Sequence, residues 1–143
     1  MTLSPYLAAK DASAALAFYK DAFGAEELYR LNGPDGRIGH AEFTINGARL
    51  MISDEYPDFG ALSPQTIGGC PVKLHIYVEN ADDTIARAAK AGATIVREPK
   101  DEFFGDRSGM VTDPFGYSWF IAHKIEEVTP EEMQRRWTDS MGG

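Results

Sequence analysis

Cysteine is nearly absent from the chain. Cys70 stands alone, so no intrachain disulfide can form, and a reducing, intracellular setting is the expectation. It precedes Pro71 in an apparent linker with no base near it in sequence, which argues against a nucleophilic role. Positive charge is scarce too: 14 Lys and Arg stand against 22 Asp and Glu, a net charge of −8. A surface of that sign argues against nucleic acid and anionic membranes as partners. No apolar run is long enough to span a membrane and no signal peptide is visible, so a cytoplasmic location is expected. The glycines show no P-loop spacing. Ser53, Ser108 and Ser118 lack the sequence context of a nucleophile.

What is present is a pattern used twice. Asn46-Gly47 sits between two alternating apolar runs, His40 to Ile45 and Ala48 to Ile52, and reads as a β-hairpin turn. Asp113-Pro114-Phe115-Gly116 sits in the same way between Gly109 to Thr112 and Tyr117 to Ile121. Gly47 to Gly116 and Met51 to Phe120 are both shifts of about 69 residues, which points to an internal repeat. Each hairpin is preceded by strand, helix and strand. The first helix is capped by Asp11 or Ser13, buries Ala12, Ala15, Leu16, Tyr19, Ala22 and Phe23, and ends at Gly24. The second is capped by Asn80 or Asp82, carries Ala81, Thr84, Ile85, Ala88 and Ala89, and ends at Gly92. Thr94 to Arg97 reads as a strand and Glu98 to Arg107 as a loop, with Asp106-Arg107 as a local ion pair. The spacing predicts modules over about 2–55 and 72–124, a linker over 56–71 without clear period, and a helical tail over 126–143. In that tail Thr129, Pro130 and Glu132 form a capping box, and Trp137 is expected to pack on the body or on a partner subunit.

Two β-α-β-β-β units in tandem resemble the vicinal-oxygen-chelate superfamily, the glyoxalase and bleomycin-resistance fold. Phe104-Gly105-Asp106-Arg107, Thr112-Asp113-Pro114-Phe115-Gly116-Tyr117-Ser118-Trp119 and Glu126-Glu127-Val128-Thr129-Pro130 look like its PhnB-like branch, as does His40-Ala41-Glu42 before Leu50-Met51-Ile52-Ser53-Asp54-Glu55. The resemblance implies an α+β protein whose tandem βαβββ modules form a cup-shaped mixed β-sheet over residues 1–125, with a C-terminal helix beyond. It also implies a small-molecule ligand inside the cup and a homodimer as the working form. Sheet edges and apolar inner surface that a second copy can cover point to a dimer as well.

Alternation assigns the faces. Leu7, Ala9, Ala41, Phe43, Ile45, Leu50 and Ile52, with Leu74, Ile76, Val78, Met110, Tyr117, Trp119 and Ile121, fall on the helix-covered side. The complementary set falls on the open side: Tyr6, Ala8, His40, Glu42, Arg49, Met51 and Ser53, then His75, Tyr77, Val111, Ser118, Phe120 and Ala122. Its mix of charged and apolar groups suits a small-molecule pocket. An ordinary solvent-facing side accounts for His40 and Glu42 as well as a pocket does. The ligand-binding candidates are Tyr6, His40, Glu42, Arg49, Met51, His75, Tyr77 and Phe120.

In metal-dependent members of the superfamily, the resemblance places ligands at Tyr6, Met51, His75 and Phe120. Met51 and Phe120 stand where carboxylates are expected and offer no hard oxygen. No cofactor is therefore favoured. A divalent metal, if bound, would draw on His75, Glu42 and His40. Three functions are carried forward: a metal-free protein that sequesters a small molecule, a metalloenzyme with that relocated ligand set, and a metal-free enzyme using Glu42 or His75 to move a proton next to a carbonyl.

Overall fold

The computed structural model describes residues 1–142. Strand β1 (Tyr6–Ala9), helix α1 (Ala12–Phe23) and strands β2 (Glu26–Asn32), β3 (Ile38–Ile45) and β4 (Ala48–Asp54) build a four-stranded mixed sheet in the order β1-β4-β3-β2. Strand β5 (Lys73–Tyr77), helix α3 (Ala81–Ala91) and strands β6 (Thr94–Asp101), β7 (Asp106–Thr112) and β8 (Ser118–Lys124) build a second in the order β5-β8-β7-β6. In each sheet the first strand pairs parallel to the last and the remaining pairs are antiparallel. The C-terminal helix α4 spans Pro130–Gly142.

The turns follow from local chemistry. Asn46 and Gly47 both take positive φ, 51° and 81°, the pair that a type I′ hairpin needs. Pairing runs from Ile45 with Ala48 to Ala41 with Ile52, so Glu42 faces Met51. Asp11 accepts from the Ala14 amide at 3.0 Å and Asn80 from the Asp83 amide at 3.1 Å, capping α1 and α3. Thr129 caps α4 through the Glu132 amide, but the Glu132 side chain turns to Arg135 and Arg136 instead of closing a full capping box.

The linker is more ordered than its composition predicts. It holds a 3-10 turn over Pro57–Phe59 and a short helix, α2 (Pro64–Ile67). Ser63 and Thr66 donate to the Glu55 carboxylate at 2.8 Å each, fastening the linker to the end of the first module.

The helix-covered faces of both sheets share one core. Tyr19 of α1 stacks on Phe43 of the first sheet at 5.5 Å and meets Trp119 of the second at 5.5 Å, while Phe23 lies 4.8 Å from Trp119. The open faces therefore lie on the sides of the sheets away from this core.

Two sequence assignments change. Val111 is fully buried in the core and Met110 is half-buried, the reverse of the expected order. Pairing of Thr112 with Ser118 leaves a five-residue connection, so Val111 lies opposite Trp119 and Met110 opposite Phe120. Strand β6 also runs on to Asp101 through two register shifts where a loop was expected, because bulges let Pro99 sit in a strand with no ladder donor.

Candidate functional site on the open sheet faces

One row of side chains crosses each sheet on its open side. On the first sheet the register aligns Tyr6, Met51, Glu42 and Tyr29. On the second it aligns His75, Phe120, Met110 and Arg97. All eight candidates from the sequence lie on these two faces, but on opposite modules. Tyr6, His40, Glu42, Arg49 and Met51 are on the first sheet, and His75, Tyr77 and Phe120 on the second. Ala8, Ser53 and Ala122 alternate as predicted yet are buried.

The first face is polar and tightly connected. The Tyr6 hydroxyl lies 2.7 Å from His40 Nδ1, and His40 Nε2 lies 2.9 Å from Glu42 Oε2. The same carboxylate oxygen accepts from the Tyr29 hydroxyl at 2.6 Å, and Arg49 Nη1 stands 3.3 Å from Glu42 Oε1. The Tyr29 hydrogen bond, followed by the one from His40, holds the Glu42 carboxyl below the usual carboxylate range. The Tyr29 phenol is pushed up in turn, chiefly by its bond to Glu42. Tyr6, 53% exposed, also lines a hollow of about 650 Å³ with Arg37, Gly39, Ser53, Tyr56 and Phe59.

The second face is aromatic. His75, Phe120, Phe103, Phe104 and Trp137 line a hollow of about 400 Å³, joined by Arg97. The Arg97 guanidinium sits 5.4 Å above the Phe120 ring, and His75 lies 4.8 Å from the Tyr77 ring. Trp137 reaches the hollow from α4, its ring 5.5 Å from Phe103. Arg136 holds that helix in place, donating to the Phe103 carbonyl at 2.8 Å and pairing with Glu126 at 3.0 Å. Glu102 Oε1 is buried 3.6 Å from Arg97 Nη1 and 3.8 Å from Lys100 Nζ, with no hydrogen-bond partner among the described residues. The expected Asp106–Arg107 pair does not form, since neighbouring residues in a strand point to opposite sides. Tyr77 donates to Asp106 at 2.8 Å, while Arg107 pairs with Asp82 at 2.7 Å and Asp101 at 3.0 Å.

Sequence reasoning missed Tyr29, Arg97, Glu102, Phe103 and Phe104. Tyr29 and Arg97 follow register shifts, between Glu27 and Tyr29 and between Ile95 and Arg97, so counting by twos along those strands does not find them. The other three flank or form the short connection between β6 and β7, where alternation gives no signal.

The residues named for a divalent ion are not brought together. Met51 and Phe120 supply no hard donor, and both ring nitrogens of His40 are already engaged. His75 stands on the other sheet. Among the described residues, no group of three or more His, Cys, Asp or Glu is arranged to hold a metal. No helix among them is long and apolar enough to cross a membrane.

Two mixed βαβββ sheets, backed on one core and open on their far sides, define a glyoxalase-like protein. The chain belongs to the Glyoxalase/Bleomycin resistance protein/Dioxygenase superfamily, whose sequence model matches residues 3–121. A Mycobacterium tuberculosis protein is 42% identical over 135 residues, spanning 92% of this chain and 79% of its own. An Arabidopsis thaliana crystal structure superposes with a TM-score of 0.69 at 27% identity, over 85% of this chain and 98% of that one. The PhnB protein of Bacillus cereus shares the fold, with a TM-score of 0.66 at 21% identity over 86% and 99% of the two chains.

Proposed function

We propose that the chain is a small-molecule-binding protein that receives a flat, aromatic ligand on the open face of its second sheet and uses no metal to do so. The observation that carries this reading is the aromatic hollow itself. Phe103, Phe104, Phe120 and Trp137 offer ring contact, and Arg97 offers a cation. A ligand of this kind gains stacking area on these rings and a contact with the Arg97 guanidinium. The test is a thermal-shift screen of aromatic and glycopeptide ligands, with and without divalent metals. A ligand at about 100 times its Kd stabilises by about 2.7 kcal/mol, and Phe120→Ala and Trp137→Ala should each weaken binding about tenfold, near 1.4 kcal/mol. Stabilisation by metal alone would defeat the reading.

Protein purified without chelator should carry far less than one equivalent of metal by elemental analysis. Stoichiometric metal lost on Glu42→Ala or His75→Ala would reinstate the metalloenzyme.

A second copy of the chain completes the site on this proposal. Tyr6, Leu31 and Val96 expose 53%, 59% and 49% of their surface on β1, β2 and β6, apolar area that a homodimer would cover. Light scattering at micromolar concentration should give twice the 15.7 kDa chain mass. A monomer would remove the dimer from the proposal.

A further inference from the structure

We infer that the ligand of the second face is an aromatic carboxylic acid, its carboxylate held by Arg97 and its ring lying among Phe103, Phe104, Phe120 and Trp137. The inference rests on the aromatic hollow as the binding site and adds the charge that its ligand carries.

Strand β6 is bent in a way that delivers Arg97 to the hollow. Ile95 packs against the core and pairs with Val111. In a regular strand Arg97, two residues on, would point the same way. The register shifts between the two, so Arg97 pairs with Met110 instead and joins the open-face row that continues to Phe120. A second shift follows between Arg97 and Lys100. Bulges re-aim a side chain at the expense of ladder hydrogen bonds. Here the side chain turned into the hollow is a guanidinium.

That guanidinium is held in place with its donors unspent. It sits 5.4 Å over the Phe120 ring, a contact that consumes no N–H. Its ion-pair partner, Glu102 Oε1, is 3.6 Å from Nη1, too far for a hydrogen bond, and is shared with Lys100 Nζ at 3.8 Å. Among the described residues the Arg97 side chain makes no hydrogen bond. A guanidinium carries five N–H donors in a planar fork that matches a carboxylate. Two cations thus lean on one anion. Side-chain exposure is 42% for Arg97 and 64% for Lys100 against 13% for Glu102, so the charge presented at the hollow is positive. Asp106, a second carboxylate on this sheet, is buried and accepts from the Tyr77 hydroxyl at 2.8 Å. In a chain whose net charge is −8, a positive wall among aromatic rings is a local feature that selects an anion at contact.

The test titrates the full chain, followed by NMR, with three probes that share one ring system: 2-naphthoate, 2-naphthylmethanol and 2-naphthylmethylamine. The carboxylate should bind about tenfold more tightly than the alcohol, the gain expected from charge-assisted hydrogen bonds to a partly exposed cation. The amine should bind no better than the alcohol, although the net charge of −8 draws cations non-specifically. Arg97→Gln should bring the carboxylate down to the level of the alcohol and leave the alcohol within about twofold of its affinity for the unaltered chain. Glu102→Gln keeps the guanidinium and removes the competing anion, so it should widen the preference for the carboxylate. Raising the salt from 50 to 500 mM should narrow that preference in the unaltered chain. A carboxylate no tighter than the alcohol, a preference for the amine, a preference that survives Arg97→Gln, or one that narrows in Glu102→Gln would each overturn the inference and leave the aromatic hollow standing as a binding site. Failure of all three probes to bind would remove the aromatic reading, and this inference with it.

Discussion

Replacing Asp113 by alanine is expected to destabilise the protein by about 4 kcal/mol, read as a fall in the urea midpoint at constant slope. The carboxylate is 3% exposed and forms no ion pair among the described residues. Four donors hold it instead. Oδ2 accepts from the Tyr19 hydroxyl at 2.6 Å and the Trp119 indole at 2.9 Å, and Oδ1 accepts from the amides of Phe115 at 2.9 Å and Tyr117 at 3.0 Å. Alanine would orphan all four, two of them on side chains of 0% and 1% exposure. Burial, then the Asp113 charge, pushes the Tyr19 phenol well above its ordinary pKa, so Tyr19 stays a donor at any working pH. The bond also joins α1 to the second hairpin, and with it the two modules. Tyr19→Phe removes one donor and keeps the ring, so it should cost about 1–2 kcal/mol. An Asp113→Ala cost below about 1 kcal/mol would mean that the surrounding donors find other partners.

The first hairpin is legible because its turn names its register. Asn46-Gly47 permits a two-residue connection, and from it the facing of Glu42 and Met51 follows by counting. The second hairpin is harder. The β-turn forms where Pro114 and Gly116 suggest, with the Gly116 amide donating to the Asp113 carbonyl at 3.2 Å. The ladder, however, closes at Thr112 and Ser118, one residue out from the turn on one side and two on the other. That offset decides whether Met110 or Val111 enters the core, and nothing in the turn sequence signals it. The same limit applies to the candidate site. That Tyr6, His40 and Glu42 share a face can be read from alternation. That His40 bridges the other two depends on its rotamer and on a contact 34 residues apart in sequence, and only coordinates supply those. Arg97 and Glu102 lie in and after a strand that a proline and a run of charges disguise as a loop.

Gly109→Ala should cost about 3 kcal/mol, at the upper end for overpacking, although the change adds one methyl group. Gly109 pairs with Ile121 in the centre of the second sheet, and a side chain there would point at α3 and β6. Its Cβ would stand 2.6 Å from Ile85 Cδ1, 2.8 Å from the Arg97 carbonyl oxygen and 3.1 Å from the Pro99 nitrogen. The first contact is with the end of a side chain, though one that is 1% exposed and has little room to turn. The other two are with backbone. They arise because β6 shifts register between Arg97 and Lys100, and the bulged strand closes over the place where a side chain would be. A methyl group must therefore push β6 outward or break its pairing with β7. Ile85→Val removes the Cδ1 methyl and relieves only the first clash, so the double variant should recover about 1 kcal/mol relative to additivity, not the whole cost. The displaced backbone carries Arg97, whose guanidinium sits over Phe120. A second readout follows: aromatic ligands that bind the second face should bind Gly109→Ala several-fold more weakly, even at low temperature where the variant is fully folded. Full recovery in the Ile85→Val background would show that the β6 backbone yields freely, and ligand affinity should then be unchanged.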